Sequence, residues 1–278
     1  MNNIALGRYV PYNSIIHRMD ARNKIVSLIL LTVAIFISFP GNWVLTFAVG
    51  GALAIIVFAL LMISHVSLVD IFKSLRVLWF LVILLLVINI LVPNKAYMDS
   101  KVLFNIGTLP IYLDSILQSL KIILRIVLML GLTMVLTATT KPLDLTYALE
   151  WFMSPLKVIK FPAHIIAMVI SIALRFIPTI LDETTRIMKA QESRGVDFKH
   201  GKLSTRLKAI VSLIIPLFIS AFQRSEELAD SMEARGYDPN GKRTRYRVLK
   251  FRWSDLLTFM VSVILLAGVI VVQKVVHF

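Results

Sequence analysis

The feature that most constrains this chain is a succession of apolar runs long enough to cross a lipid bilayer. The longest uncharged run extends from Ile25 to Ser64, and it is interrupted only by Pro40-Gly41-Asn42, a triplet typical of a turn. A helix needs about 20 apolar residues to cross a bilayer core about 30 Å thick. We therefore predict a membrane-spanning helical hairpin with spans near 25–39 and 43–63.

Three further apolar runs predict three further spans, near 77–94 and 256–273 and in a shorter segment that begins after Lys121 and Arg125 and continues to Thr140. The composition agrees, because 58% of the residues are hydrophobic and 17% are charged, whereas soluble domains contain about 25% charged residues. The segment from Val102 to Asp114 is expected to form a loop. The sequence therefore predicts an all-α integral membrane protein with about five transmembrane helices and a cytoplasmic domain of long helices.

The region between the fourth and last spans differs in character. Its two apolar stretches, Ile165–Leu174 and Ala209–Phe222, are interrupted or flanked by charges and prolines. At 1.5 Å per residue, stretches of this length cross only about half to two-thirds of the bilayer core, so we expect them to lie in the interface or against protein. We predict four parts: a cytoplasmic segment at 1–24, transmembrane helices at 25–140, a cytoplasmic or interfacial domain at 141–253 and a final transmembrane helix at 254–278.

The formal net charge of +14 supports this arrangement. The segment from Asp182 to Trp253 contains 15 of the 30 Lys and Arg residues, and positively charged segments remain on the cytoplasmic side of a membrane. We therefore predict a cytoplasmic N-terminus, an extracellular C-terminus and no cleaved signal peptide. Because the chain contains no cysteine, a disulfide framework and thiolate metal sites are excluded.

A six-residue word occurs twice, at Glu192–Asp197 and 41 residues later at Glu233–Asp238, with four of its six positions identical. Each copy ends a polar helical run that follows an Ile-Pro pair. Glycine just past the last turn closes a helix, and arginine in the last turn offsets the negative end of the helix dipole. Capping alone requires neither of the repeated acids, so we predict that the tips dock on carboxylates of a partner with twofold or pseudo-twofold symmetry. The predicted docking residues are Glu192, Ser193, Arg194, Gly195, Asp197, Glu233, Ala234, Arg235, Gly236 and Asp238, with hinges at Pro178 and Pro216.

The two words resemble motifs of the transmembrane coupling component of energy-coupling factor (ECF) transporters, which take up vitamins and metals in prokaryotes. In that family two long cytoplasmic helices each end in an Xaa-Arg-Gly motif that docks on one of two ABC-type ATPases. Ser193-Arg194-Gly195 and Ala234-Arg235-Gly236 match those motifs. The N-terminal stretch is also similar, with Ile15 and Ala21 in place of two prolines; the matching residues are Ser14, His17, Asp20, Arg22 and Lys24.

The resemblance implies a non-catalytic subunit in a prokaryotic cell membrane, with no catalytic residue, no cofactor and no metal. Its implied partners are two ABC-type ATPase subunits, one membrane-embedded substrate-binding subunit and the lipid bilayer. ATP binding would close the ATPases and move the tips at Arg194 and Arg235. The two helices would then act as levers on the substrate-binding subunit, with their apolar first halves as its platform.

The sequence leaves two other membrane functions as alternatives. A membrane-embedded enzyme needs convergent acids, and Asp144 and Glu150 fit better as the solvated face of an amphipathic segment from Leu143 to Ile159. A stand-alone secondary transporter needs polar sites near the bilayer midplane. Within the predicted spans only Asn89 is polar enough, since Arg125 and Arg175 are expected near segment ends, where their side chains can reach the interface.

Two further site types are disfavoured. The loop from Gly195 to Lys202 has the wrong glycine spacing for a phosphate-binding loop, and the five histidines share no metal-ligand spacing. Nucleic acid is not an expected partner, because the basic stretch also contains nine acids. Its densest cluster, from Lys242 to Arg252, directly precedes a span, as lipid head-group anchors do.

Overall fold

The computed structural model describes residues 9–37, 43–91, 102–106, 109–159, 161–198, 202–238, 241 and 251–277. These residues are predominantly helical, as predicted. The elements in chain order are α1 (Ala21–Ile37), α2 (Trp43–Ile63), α3 (Leu68–Leu91), β1 (Val102–Ile106), β2 (Leu109–Tyr112), α4 (Leu113–Thr139), α5 (Pro142–Met153), a 3₁₀ helix (Ser154–Ile159), α6 (Ala163–Ser193), α7 (Leu203–Ala234) and α8 (Trp253–His277).

Several predicted features lie outside the described residues. They are the turn triplet Pro40-Gly41-Asn42, part of the loop before α4, His200, and most of the basic cluster that begins at Lys242.

The described chain divides into two compact units. We call Gly7–Lys141 together with Leu249–Phe278 the bundle unit, and Pro142–Val248 the arm unit. Within the described residues, the chain leaves the bundle unit after α4 and returns to it before α8.

The bundle unit is built around α4. This helix packs against α1, α2 and α3, and α1 packs along α8. The buried core consists mainly of leucine, isoleucine and valine side chains from these helices, among them Ile35, Leu53, Val57, Leu128 and Leu132. Gly131 lets α4 approach α2 closely, because a Cβ atom at this position would lie 2.8 Å from Val57 Cγ1.

The segment from Val102 to Asp114 is not the loop that we expected. Strand β1 pairs antiparallel with β2, with Ile106 opposite Leu109, and α4 begins directly after β2. The expectation was wrong because each strand of a short hairpin is stabilised by hydrogen bonds to the other strand. The sequence pattern of one segment does not show that it pairs with the next.

Helices α2, α4 and α8 are long and apolar enough to cross a membrane and coincide with predicted spans. Helices α1 and α3 form at the positions of the other two. The length argument against Ile165–Leu174 and Ala209–Phe222 was wrong, because each stretch lies within one uninterrupted helix, α6 with 31 residues and α7 with 32. Both helices are long and apolar enough to cross a membrane.

The arm unit consists of α5, the 3₁₀ helix, α6 and α7. Helix α5 packs on α6, and α6 packs on α7. The apolar parts of the two long helices are almost entirely uncovered, since only 6% of the most apolar 18-residue window is buried in each. The arm unit therefore presents apolar helix surface that its own residues do not cover.

Candidate functional site

The end of α6 has a complete set of capping hydrogen bonds. Gly195 adopts a φ of +84° and donates its N–H to the Glu192 carbonyl over 3.0 Å. The Val196 N–H donates to the Gln191 carbonyl, also over 3.0 Å. This pair of bonds is the Schellman motif, which satisfies the last carbonyls of a helix and requires a left-handed residue after the cap. The glycine thus sets the direction in which the chain leaves α6.

The end of α7 has the same geometry. Gly236 has a φ of +68° and donates to the Glu233 carbonyl over 2.8 Å, and the Tyr237 N–H donates to the Met232 carbonyl over 3.0 Å. In both copies the arginine is the cap residue itself, Arg194 at one end and Arg235 at the other. The prediction of two helix ends closed by glycine is confirmed, and the repeated word folds into a repeated structure.

The arginine and acidic side chains of the two words are exposed on the protein surface. Glu, Arg, Gly and Asp are exposed in both copies, whereas Val196 and Tyr237 are half-buried. A half-buried residue at this position is the hydrophobic contact that usually accompanies the Schellman motif. Ser193 donates its hydroxyl to the Lys189 carbonyl over 3.0 Å, so it satisfies itself within the helix. The Ser-for-Ala difference between the words therefore changes the outward surface little.

An ion pair joins the two long helices. Arg224 Nη2 lies 3.3 Å from Glu183 Oε2, and both side chains are partly buried. These two residues are 41 positions apart, as are the two words. A contact between equivalent positions of two repeats lies on the approximate twofold axis that relates them. Sequence reasoning missed this pair, although opposite charges at repeat-equivalent positions were visible.

A second contact shows that α6 and α7 run antiparallel. The Tyr237 hydroxyl donates to Met168 Sδ over 3.2 Å, so the tip of α7 lies beside the beginning of α6. Met168 is 26 residues before Arg194 along the same helix. At 1.5 Å per residue, the two arginine tips are therefore separated by roughly 39 Å. A partner that contacts both tips must be large or must consist of two copies.

The predicted hinge prolines do not interrupt their helices. Helix α6 continues through Pro178 and α7 through Pro216. Each proline removes one helical hydrogen bond, which is a common cause of local bending. The two prolines stand 16 and 19 residues before their arginines, so they are not equivalent positions of the repeat. Their role as hinges stays a prediction.

The expectations for three charged residues were wrong. Glu150 is not on a solvated face: it is 5% exposed, and its Oε1 lies 3.1 Å from His164 Nδ1, which joins α5 to α6. Arg125 is not near the end of its segment, because α4 begins at Leu113. Arg125 donates to the Phe36 carbonyl over 3.2 Å and so interacts with the negative end of α1. Arg175 likewise lies well inside α6.

The Asn89 amide nitrogen donates to the Leu85 carbonyl of its own helix over 3.0 Å. Among the described residues, no group of three or more His, Cys, Asp and Glu side chains is placed to hold a metal ion.

The N-terminal residues singled out in the sequence all lie in the bundle unit. Asp20 and Lys24 are buried, with 6% and 7% exposure, while Ser14, His17 and Arg22 are partly buried. Asp20 and Lys24 mark the beginning of α1, where the chain contacts the end of α4 and the beginning of α8. Sequence reasoning missed Asn23, Thr139 and Asp255, which complete this cluster, because they are distant in the chain.

Comparison with known proteins adds a family. The family model CbiQ, described as cobalt transport protein, matches residues 12–246. Three curated relatives are each named energy-coupling factor transporter transmembrane protein EcfT. The protein of Macrococcus caseolyticus is 40% identical over 260 residues, which is 94% of either chain. That of Bacillus subtilis is 39% identical over 270 residues, 97% of this chain and 98% of the relative. That of Brevibacillus brevis is 42% identical over 265 residues, 95% and 96% of the two chains.

Proposed function

This chain belongs to the CbiQ/EcfT family of transporter membrane proteins, and from that premise we propose that it couples two ATPase subunits to a substrate-binding subunit in an ECF importer. The observation on which the proposal rests is the pair of identically closed helix ends, each with an exposed arginine, about 39 Å apart along α6. We assign no catalytic residue to the chain, and ATP hydrolysis belongs to the partner subunits.

The two tips are suited to hold one ATPase each. A guanidinium group binds a carboxylate bidentately, which fixes direction as well as strength. The Schellman closure holds Arg194 and Arg235 at the end of a stiff helix, so a displacement of the tip is passed along the helix axis. Since the tips are related by an approximate twofold axis, they fit a pair of ATPases that is itself twofold symmetric.

The uncovered apolar surface of α7 is suited to the substrate-binding subunit. Every third or fourth residue along one face of the helix is a large apolar side chain that is at least half exposed. Such a surface is stable only against lipid or another apolar protein. We define this apolar stripe as Leu207, Val211, Ile214, Ile215, Phe218 and Phe222.

The distribution of charge supports one orientation in the membrane. If the basic segment from Asp182 to Trp253 is cytoplasmic, the tips at Arg194 and Arg235 face the compartment that contains ATP. The N-terminus then lies in the cytoplasm and the C-terminus outside. This orientation is part of the proposal.

Reversal of charge at both tips tests the proposed docking. We expect Arg194→Glu combined with Arg235→Glu to abolish co-purification of the ATPase subunits, because each tip would repel the carboxylate that it binds. Truncation of an arginine that is a binding hot spot costs about 2 kcal/mol or more of binding free energy. The membrane fraction should still contain the variant in wild-type amounts.

The control is Lys189→Glu combined with Arg206→Glu, which makes the same change in net charge at exposed positions of α6 and α7. This control should retain the ATPases. Wild-type retention of the ATPases by the tip variant would contradict the proposal.

A further inference from the structure

In the part of the chain that the structure describes, one segment contacts the bundle unit beside both points at which the chain passes between the units. The chain leaves the bundle unit after Lys141 and returns at Leu249. The residues from Tyr9 to Lys24, which we call the clasp, contact the end of α4 just before the first point and the beginning of α8 just after the second. These contacts lie entirely within the bundle unit.

On the α4 side the clasp donates hydrogen bonds to backbone carbonyl oxygens and to one side-chain hydroxyl. Lys24 is buried, and its Nζ donates to the Thr139 carbonyl over 2.9 Å and to Thr140 Oγ1 over 3.4 Å. The Val10 N–H donates to the Ala138 carbonyl over 3.1 Å. A cation at the C-terminal end of a helix interacts favourably with the helix dipole. The clasp therefore caps α4 where the chain leaves the bundle unit.

On the α8 side the central group is Asp255, which is 0% exposed. Its Oδ1 accepts the Asp20 N–H over 2.9 Å, and its Oδ2 accepts the Arg252 N–H over 2.7 Å. Asn23 Nδ2 donates to the Asp255 carbonyl and to Thr258 Oγ1, both over 2.8 Å. One carboxylate thus holds the beginning of α8 and the beginning of α1 together.

The clasp is also held in shape by its own hydrogen bonds. Asp20 Oδ1 accepts the Arg22 N–H over 2.9 Å, and His17 bridges Ser14 and the Val10 carbonyl over 2.7 and 3.0 Å. The ends of α4 and α8 are therefore connected through a folded segment and not through a flexible tether.

We propose that the clasp makes the ends of α4 and α8 move as one body, so that displacement of the arm unit is transmitted into the bundle unit instead of being absorbed at the two connections. Lys24 and Asp255 are then positioning residues for energy coupling. The inference rests on the proposed function, because it requires ATPases that move the arm unit. The physical reason is that a displacement reaches a distant element only through elements that keep their arrangement.

Buried, hydrogen-bonded polar groups suit this role. A buried Lys or Asp side chain is stable only when its hydrogen bonds are satisfied, so opening such a contact leaves a buried polar group without a partner. The contacts of Lys24 and Asp255 therefore resist partial opening. That resistance keeps the two connections fixed when the arm unit moves.

The test places one environment-sensitive fluorophore in each unit, which is straightforward because the chain has no cysteine. A bimane label at Lys189→Cys reports on the arm unit, and in a separate sample a label at Met260→Cys reports on the bundle unit. Each labelled protein is assembled with the two ATPases and the substrate-binding subunit. The change in emission on addition of ATP and the rate of ATP hydrolysis are then measured.

In the wild type we expect ATP to change the emission of both labels. In Lys24→Met we expect ATP hydrolysis and the arm response to persist while the bundle response is lost, because the arm and bundle units are no longer coupled. Lys24→Arg, which keeps the donor, should restore the bundle response. Lys274→Met, an exposed lysine of α8, is the matched control and should behave as wild type.

Other outcomes overturn the inference. An undiminished bundle response in Lys24→Met, or equal loss of both responses and of hydrolysis in a folded complex, would show that the clasp only stabilises the fold. If Lys24→Met does not insert, Asn23→Ala decides, since it removes only a neutral donor to α8; its bundle response must fall while its arm response persists. Failure of the ATPases to bind the wild type would instead reject the proposed function.

Discussion

Single residues in this protein are required for different physical reasons, such as a positive φ or the lack of space for a side chain. Gly195 and Gly236 have open space around them, and they are required because their positive φ is strained for residues with a side chain. Gly131 has an ordinary helical conformation and is required for space. His17 shows a third constraint: burial lowers the pKa of its imidazole, so the neutral ring accepts from the Ser14 hydroxyl at Nδ1 and donates to the Val10 carbonyl from Nε2.

We expect Gly131→Ala to destabilise the bundle unit. The new Cβ would lie 2.8 Å from Val57 Cγ1, and a buried valine in a helix has one strongly preferred rotamer, so it cannot turn away. Overpacking costs about 1–3 kcal/mol, which outweighs the gain of about 1 kcal/mol in helix propensity. The thermal midpoint of the detergent-solubilised protein should fall.

Two sets of variants test whether the clash with Val57 causes the loss of stability. Adding Val57→Ala should recover part of the loss, because it removes the clashing methyl group. Gly51→Ala and Gly268→Ala are controls, since nothing lies within 4 Å of the added Cβ atom. Equal thermal midpoints for Gly131→Ala and these controls would show that α2 and α4 do not pack as described.

At the scale of elements, the notable relation is between α6 and α7. They are similar in length, and both end in the same capping motif. They run antiparallel, and an ion pair joins them at equivalent positions. An antiparallel pair places its C-terminal tips at opposite ends. The angle and register of the crossing therefore set the distance between Arg194 and Arg235.

We expect the Glu183–Arg224 pair to help set that distance. Glu183→Arg and Arg224→Glu each place like charges together at the crossing, so the affinity for the ATPase pair should fall. The expected rise in Kd is up to about fivefold, which corresponds to about 1 kcal/mol, the upper range for a partly exposed pair. The exchanged double variant should return toward the wild-type Kd. If the double variant loses as much binding free energy as the two single variants together, the pair does not position the tips.

At the scale of the whole molecule, the proposed partners use different surfaces of the arm unit. The ATPases are assigned the exposed polar tips, and the substrate-binding subunit is assigned the apolar stripe of α7. The first contact depends on charge and direction, and the second on apolar area. The two associations should therefore be separable by mutation.

We expect Phe218→Asp to release the substrate-binding subunit while the ATPases remain bound. Phe218 is 62% exposed and its ring packs against Phe222, so a carboxylate here would be buried without a partner in the complex. Gln223→Asp, an exposed neighbour, is the control and should retain all partners. Co-purification of each subunit is the measurement. Joint loss of the ATPases and the substrate-binding subunit in Phe218→Asp alone would contradict separate surfaces.

Local features of this protein could be predicted from its sequence. Apolar runs predict helices because the helical hydrogen bonds form within one segment, and an Arg-Gly word predicts a helix end because capping involves only neighbouring residues. The membrane class, most of the helices and the two closed tips follow from such local rules. The family resemblance rests on the same words, and the family match agrees with it.

Only the tertiary structure decided which distant residues meet. Asp20 and Asp255 are 235 positions apart, and no local pattern indicates that the Asp255 carboxylate accepts the Asp20 backbone N–H. The burial of Glu150, the contact of Arg125 with the end of α1 and the Glu183–Arg224 crossing are of the same kind. Each depends on how whole helices pack, because packing determines which polar groups lose water and must find a partner within the protein.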